Sequence, residues 1–356
     1  MDECAEHGPE ADGLEGDAAP LTFAQEMEAL AERAVAQERA DKRTAQLAAG
    51  RCEFAIVANG SAKPFYAELT LERHMLFVVN SYKEDFRILR HQVQDPVTGE
   101  PVEQVVLIGK TSEEDQRSYG VLKEVHQDVW YRLLWLWNKQ DSPITAEGKP
   151  RIETSAYELV RLLRGDDSEH HYRRAKELVH QISSIPIVLK NVYTWQGLRD
   201  VENFRLIADY DWRERKVDKR GRGGVSRVRI VLAQHVGDGF LAEHAKPLHL
   251  SVYEKLGSVA VARLLYPFLD HKLASKDSYN VKLASLADRV GLRYYAHRSK
   301  RLEKFQPALR ALDGQPIQGD RYRLRVSCTE SKSGGDYVFV AKRESRQLGL
   351  PGLDKS

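Results

Sequence analysis

Arg293, His297, Lys300, Arg301 and Lys304 recur at helical spacing in the stretch RYYAHRSKRLEKFQPALRAL, residues 293–312. Guanidinium, imidazole and ammonium donors at this spacing share one face of a helix, where they can meet phosphate oxygens and the acceptor edges of bases. With Leu302 at the centre of the inner face, Tyr295, Ser299, Gln306 and Leu309 lie within about sixty degrees of it, and Phe305 flanks them. Arg298 turns towards that packed side, and Arg301 stands at the edge of the outer one. Pro307 kinks or ends the regular part. A second set lies upstream, where Tyr172, Arg173 and Lys176 face outwards with Glu169 and His180, and Glu177 alongside. Two carboxylates there repel phosphates, so this helix is expected to grip a duplex less tightly and to lend surface to another protein. Between Arg213 and Arg229, eight Lys/Arg outnumber two acids around GRGG, which suits Arg220, Arg222 and Arg227 to clamping phosphates.

Other chemistries fail on spacing. Val105 to Thr111 ends in GKT like a phosphate-binding loop, but Gln104 stands where a glycine is required, and Ser112-Glu113-Glu114-Asp115 begins a helix poorly suited to a polyphosphate. The histidines form no HEXXH or paired metal motif, and His170-His171 falls on the packed side of its helix. No nucleophile elbow or catalytic carboxylate pair stands out, so the chain reads as a non-enzyme without cofactor or metal. Gln347, Leu348 and Leu350 match the QLxL core by which bacterial proteins dock on the polymerase sliding clamp.

The elements that must position these groups come in two copies. VKLASLADRVG, with Gly291 at its cap, forms a short helix before the basic one, and a shift of about 124 residues lays Leu162 on Leu286 and Leu178 on Leu302. Upstream, Thr154-Ser155 caps a helix over Ala156 to Leu163, Gly165 to Ser168 makes the turn, and Glu169 to Ser183 is the first basic helix. Each copy leads into a hairpin: Ile185 to Tyr193 with Phe204 to Trp212, and Arg321 to Cys328 with Tyr337 to Lys342. Helix, tight turn, basic helix and hairpin are the parts of a winged helix. The fold class is therefore α+β, two tandem winged-helix domains behind a β-rich lead-in.

In order, residues 1–50 form an acidic, largely disordered tail with a loose helix, and 51–117 a small β region. The first winged helix spans 118–240, the second 241–342, and 343–356 is a flexible tail. The β region contains Phe54 to Ala58, Met75 to Val79, Phe86 to Val93 and Val102 to Ile108. The helix that follows places Val125, Val129, Leu133 and Leu136 on one stripe, flanked by Trp130 and Trp137. Ser251 to Lys255 and Ala260 to His271 open the second domain, with Pro267 bending the latter or starting a new helix.

A formal charge of +2 hides a partition: residues 1–50 hold twelve acids against four Lys/Arg, −8, which leaves +10 on the rest. A basic body suits a nucleic-acid partner. Three unpaired-looking cysteines and no long apolar run point to a reduced cytoplasm and no membrane.

From about Tyr119 to Gly314 the chain resembles the plasmid replication initiator protein A family, whose members are similar to TrfA-type and iteron-binding initiators. The matching pieces are YGVLKEVHQDVWYRLLWLW, ETSAYELVRLLRG, HHYRRAKELVHQISSIPIVLKN, SRVRIVL, KPLHLSVYEKLGSVAVARLLYPFLDHK and RYYAHRSKRLEKFQPALRAL. The resemblance implies origin-specific DNA binding, duplex opening, and recruitment of the host replicative helicase and sliding clamp. It also implies a homodimer through the first winged-helix domain that represses its own gene. A tandem winged-helix transcriptional regulator without a replication role is the alternative.

Overall fold

The computed structural model describes residues 65–94, 99–109, 120–141, 143–194, 196–213, 226–292, 295, 297–331 and 335–345. The expected tail of residues 1–50 and the strand Phe54 to Ala58 lie outside them, as do the GRGG tip and the C-terminal segment.

Strand β1 (Phe65–Glu68) runs directly into helix α1 (Leu69–His74). Glu68 makes that junction, because its carboxylate accepts from the Thr70 N–H at 3.0 Å and the Leu71 N–H at 2.9 Å. The helix ends at Met75 in the left-handed region, φ 50°. Met75 to Val79 is thus a helix exit where a strand was expected, with one isolated bridge from Val78 to Lys123. Beyond it, β2 (Phe86–Gln94) and β3 (Pro101–Gly109) form the expected hairpin, Phe86 opposite Gly109. Arg87, Leu89, Val106 and Ile108 turn inwards and Ile88 outwards, the alternation that a half-buried sheet requires.

Helix α2 (Glu124–Asn138) follows, buried almost all round, with Val129, Trp130, Leu133, Leu136 and Trp137 in the core as their stripe implies. Then come β4 (Arg151–Ser155), α3 (Ala156–Leu162) and α4 (Glu169–Ser184). Ser155 caps α3 by accepting from the Glu158 N–H at 3.0 Å. After α4 the chain forms β5 (Ile187–Thr194), β6 (Gly197–Phe204), β7 (Ile207–Arg213) and β8 (Arg227–Leu232). Here the expected hairpin is corrected. β5 pairs with β6, whose last residue Phe204 lies opposite Ile187, and not with β7, which pairs with β8. The β5–β6 hairpin joins the lead-in in one sheet of order β2-β3-β5-β6, so the lead-in is no separate sheet.

Helix α5 (Gln234–Leu241) leads to β9 (Ala245–Leu248), which pairs with β1. Helices α6 (Leu250–Lys255) and α7 (Ala260–Lys272) follow, and α7 continues through Pro267 as one helix. The chain finishes with β10 (Ser278–Lys282), α8 (Leu283–Arg289), α9 (Arg298–Leu312), β11 (Pro316–Ile317), β12 (Tyr322–Glu330) and β13 (Tyr337–Ser345). Pro307 does not end α9 either.

Two portions now read alike: strand, short helix, long helix, hairpin. Three strands of each sheet share an order, β4-β8-β7 and β10-β13-β12, with the first beside the last; β11 extends the second sheet, and the β5–β6 hairpin intervenes before β7 in the first. The N-caps of the short helices, Ser155 and Lys282, are 127 residues apart (282 − 155). In the long helices Ala175, Leu178, Val179 and Ile182 match Phe305, Ala308, Leu309 and Leu312 at 130 (305 − 175). The inferred shift of 124 had slipped by three residues in one helix and six in the other. Three residues are nearly a helical turn, so apolar positions still coincided while the faces rotated.

A polar seam joins the halves. Arg263 of α7 reaches Glu124 and Asp128 of α2 at 2.5 Å each, and Tyr253 donates to Gln127 at 3.1 Å. Removing Arg263 would leave the buried Glu124 carboxylate with only the Asn80 amide, whereas Asp128 keeps Arg132, and losing one partner of a buried pair costs about 3–5 kcal/mol.

Candidate nucleic-acid interface

Helix α9 starts at Arg298, with His297 as an N-cap that makes no side-chain capping bond. Its fully buried residues are Phe305, Ala308 and Leu312, while Leu302 and Leu309 are partly buried. The inner face is therefore centred towards Phe305 and not on Leu302. Two apolar stripes compete on this helix, and the one carrying the aromatic ring goes deepest. Ser299 and Gln306, expected to pack, are exposed.

That roll decides which cations can meet a ligand. Arg301 lies one turn before Phe305 on the buried stripe, its side chain 17% exposed. It donates to Asp336 at 3.3 Å and to the Tyr295 carbonyl at 3.4 Å. Asp336 also accepts the Ala284 N–H at 2.9 Å, in the first turn of α8. Arg301 is thus a clip between α8, α9 and the β12–β13 hairpin, a correction to its expected place among the outward donors. Arg298 is corrected in the opposite direction. Its side chain is 47% exposed, 4.0 Å from Glu330, with the guanidinium 5.8 Å from the Tyr337 ring centroid. At the first residue of the helix, the packed-side direction leads over the hairpin and not into the core.

His297, Lys300 and Lys304 are exposed as expected. Lys300 pairs with Glu303 at 3.0 Å, and Lys304 sits 5.6 Å from the Tyr295 ring centroid. Exposed pairs of this kind contribute about 0–1 kcal/mol, so they yield readily to a phosphate. Arg293 lies outside the described residues. Gly291 holds φ +82° after α8, and a Cβ there would stand 2.9 Å from Val78 and Tyr82.

On α4, Arg173 and Lys176 are exposed and Tyr172 is partly buried. The Tyr172 hydroxyl donates to Asp167 at 2.7 Å, a bond that pushes its pKa up to about 12 and ties it to the turn. Glu177, expected alongside that face, is turned towards its own helix. It is partly buried and accepts from Gln181 at 2.7 Å. His180 contacts the Tyr210 hydroxyl at 3.0 Å, which draws it towards β7. The pair His170-His171 is not on the packed side either. His170 is exposed, and the Nδ1 of His171 meets both Ser168 at 3.0 Å and Asp166 at 2.5 Å. Both contacts use one nitrogen, so the group locks the turn and cannot relay a proton from serine to aspartate. The matched register pairs Lys300 with His170 and Lys304 with Arg174, both exposed and both missed by the slipped alignment.

In the first hairpin Arg227 pairs with Glu153 at 2.7 Å, and its side chain is 71% exposed. Arg220 and Arg222 lie outside the described residues, as do Gln347, Leu348 and Leu350. Gly109 of the GKT stretch has φ +100°, and a Cβ there would meet the Asp85 carbonyl at 2.3 Å, so close backbone passage explains the glycine. Among the described residues no cluster of three His, Cys, Asp or Glu could hold a metal ion, and no helix is long and apolar enough to cross a membrane.

A crystal structure of domains 2 and 3 of RctB, from selenomethionine derivatives, is similar to this chain with a TM-score of 0.48 and 11% identity. That match covers 78% of this chain and 98% of the other. A second crystal structure of RctB domains 2-3 matches with a TM-score of 0.43 and 13% identity, over 78% and 96%. No protein-family model matches the chain. No curated protein matches it either. The likeness to the plasmid initiator family accordingly rests on the sequence pieces quoted above.

Proposed function

We propose that this chain is a non-enzymatic replication initiator that binds duplex DNA through two winged helices, within residues 118–240 and 241–342. One observation carries the reading. The same strand–helix–helix–hairpin arrangement occurs twice, and each time its second helix leaves basic side chains on the uncovered face. In this reading α9 enters a major groove with His297, Lys300 and Lys304, and Arg298 holds backbone beside the hairpin. Helix α4 takes an adjacent groove with Arg173, Arg174 and Lys176. The two hairpins lie against phosphates on either side.

The sequence resemblance extends the proposal to origin DNA on a plasmid, a homodimer through the first winged helix, and contacts with the host helicase and sliding clamp. Affinity measured against salt tests the groove contacts. If six to eight phosphates are neutralised, log K falls with log salt at a slope of about −5 to −7, and a flat response defeats the proposal. Autonomous replication of a plasmid carrying the gene and its neighbouring repeats separates an initiator from a transcriptional regulator with the same architecture. A truncation before Gln347 tests the clamp peptide, which is discarded if clamp affinity is unchanged.

A further inference from the structure

Basic side chains crowd the place where the carboxyl ends of α1, α7 and α8 meet strand β2. Helix ends present unpaired carbonyls and a negative partial charge, so some cations are expected there. Arg87 fills that need for two of the helices. It donates to the Met75 carbonyl at 3.0 Å and to the Arg289 carbonyl, closing α1 and α8 with one guanidinium. Arg343 serves the third, donating to the carbonyls of Leu273 and Ala274 at 3.0 and 3.1 Å.

With those carbonyls occupied, Lys272 and Arg289 are left over. The Lys272 ammonium lies 5.3 Å from the Phe268 ring centroid, and no carboxylate among the described residues pairs with it. Burial brings its pKa down to about 8, assisted by three further cations, Arg289, Arg73 and Lys276. The Arg289 guanidinium meets the Nδ1 of His91 at 3.1 Å, and it too has no carboxylate partner among the described residues.

Two imidazoles add to the imbalance. The rings of His74 and His91 stack at 5.8 Å, and His74 is 1% exposed with neither nitrogen hydrogen-bonded. His91 accepts at Nδ1, which leaves its proton on Nε2, and that atom is buried without an acceptor. A neutral imidazole keeps one N–H, so two buried donors lack acceptors where a folded chain ordinarily supplies them. Three helix ends offset at most about 1.5 charges, roughly 0.5 each, and Asp277 pairs with Arg343 at 2.8 Å, against the four of Arg87, Arg343, Lys272 and Arg289. The surplus is positive and half-buried.

We propose that this patch binds a phosphate-type oxyanion, with Lys272 and Arg289 supplying charge and the two histidines neutral N–H donors. Arg289 lies two residues before Gly291, where the chain turns towards α9. The oxyanion therefore has two possible sources, a backbone phosphate of bound DNA or a free polyphosphate. Only the first rests on the proposed function.

Thermal unfolding of the full chain, with and without inorganic pyrophosphate at constant ionic strength, tests the site in wild type, Lys272→Met and Lys300→Met. Without pyrophosphate, Lys272→Met is expected to raise Tm, because it removes one of several mutually repelling cations. A purely structural lysine would predict a fall. Pyrophosphate should raise Tm saturably in wild type and in Lys300→Met, should not do so in Lys272→Met, and should act again in Lys272→Arg. That outcome assigns a free polyphosphate. If pyrophosphate has no effect but Lys272→Met lowers the salt slope of DNA binding by about one, the anion is a backbone phosphate. If neither response depends on Lys272, the proposal is overturned. Should Lys272→Met fail to fold, Arg289→Gln takes its place under the same outcomes. A protein that answers pyrophosphate but binds no duplex would sink the proposed function and leave this site standing.

Discussion

Replacing Asp336 by alanine removes two contacts that tie separate elements together, besides the local bond from the Tyr337 N–H. Its carboxylate accepts the Ala284 N–H at 2.9 Å in the first turn of α8, a cap contributing about 1 kcal/mol. It also holds Arg301 at 3.3 Å, and a hydrogen bond to a charged partner contributes about 1.5–3 kcal/mol. The side chains are only 12% and 17% exposed, so water replaces little of either. The expected loss is about 3 kcal/mol, which lowers Tm by roughly 6–12 °C in a domain of this size. Arg301→Ala leaves the cap intact and should cost about 2 kcal/mol. The double variant should lose about 1–2 kcal/mol less than the sum of the two, because both singles break the same pair. Below Tm, Arg301→Ala should leave base preference unchanged. Burial alone would raise the Asp336 carboxyl, but the N–H groups of Ala284 and Tyr337, together with Arg301, hold it below its ordinary 3.8. A depressed carboxyl stabilises the fold above its unfolded value and ceases to do so as pH falls through the folded one. The gap between wild type and Asp336→Ala should therefore close below about pH 4. If Arg301→Ala kept its Tm and relaxed selectivity at one base pair, Arg301 would be a reader and the clip argument would be wrong.

Gly291→Ala adds a Cβ 2.9 Å from Val78 and Tyr82 at φ +82°, and should cost about 2–4 kcal/mol by urea unfolding. A change below half that would show that the turn yields easily. Burial, with nearby cations, depresses His91 to about 4 and His271 to about 3. Their stabilisation is full above the unfolded value near 6.5 and is lost as pH falls towards 4, so the urea midpoint should drop from pH 7 to pH 5, and less so in His271→Gln. An unchanged profile in that variant counts against neutral burial. Glu68 acts in the opposite sense: burial raises its carboxyl to about 7, so its contribution fades as pH rises from 4.5 through 7. Glu68→Gln should gain stability relative to wild type between pH 6 and pH 8, and equal profiles would refute a protonated Glu68.

Local signals were legible where residue type dictates backbone. The Ser155 cap, the turn before Glu169, the left-handed Gly291 and the β12–β13 hairpin all follow from side chains acting on their own segment. The apolar stripe of α2 through Val129, Leu133 and Leu136 was equally plain, though burial extends beyond it to Gln127, Tyr131 and Arg132. Sequence failed where a choice depended on distant partners. β6, GLRDVENF, carries exposed Leu198, Arg199 and Asp200, so no alternation marks it, and its pairing with β5 is fixed by the neighbouring β3. In α9 the stripes through Leu302 and Phe305 are about sixty degrees apart, within the width of one apolar face, and only packing chose between them. That choice moved Arg301 inwards and left Lys300 and Lys304 outside. Asp336, thirty-five residues from Arg301, carried no signal of its own.

Arg87 closes a helix whose last residue lies 202 positions further along the chain. At a synthesis rate of about 5–20 residues per second, that acceptor leaves the ribosome roughly 10–40 s after the guanidinium that will hold it. Through that interval the guanidinium has only the nearer of its two helix ends to close. A fragment beginning after residue 109 would inherit the reverse defect, α8 born without the clasp at its foot.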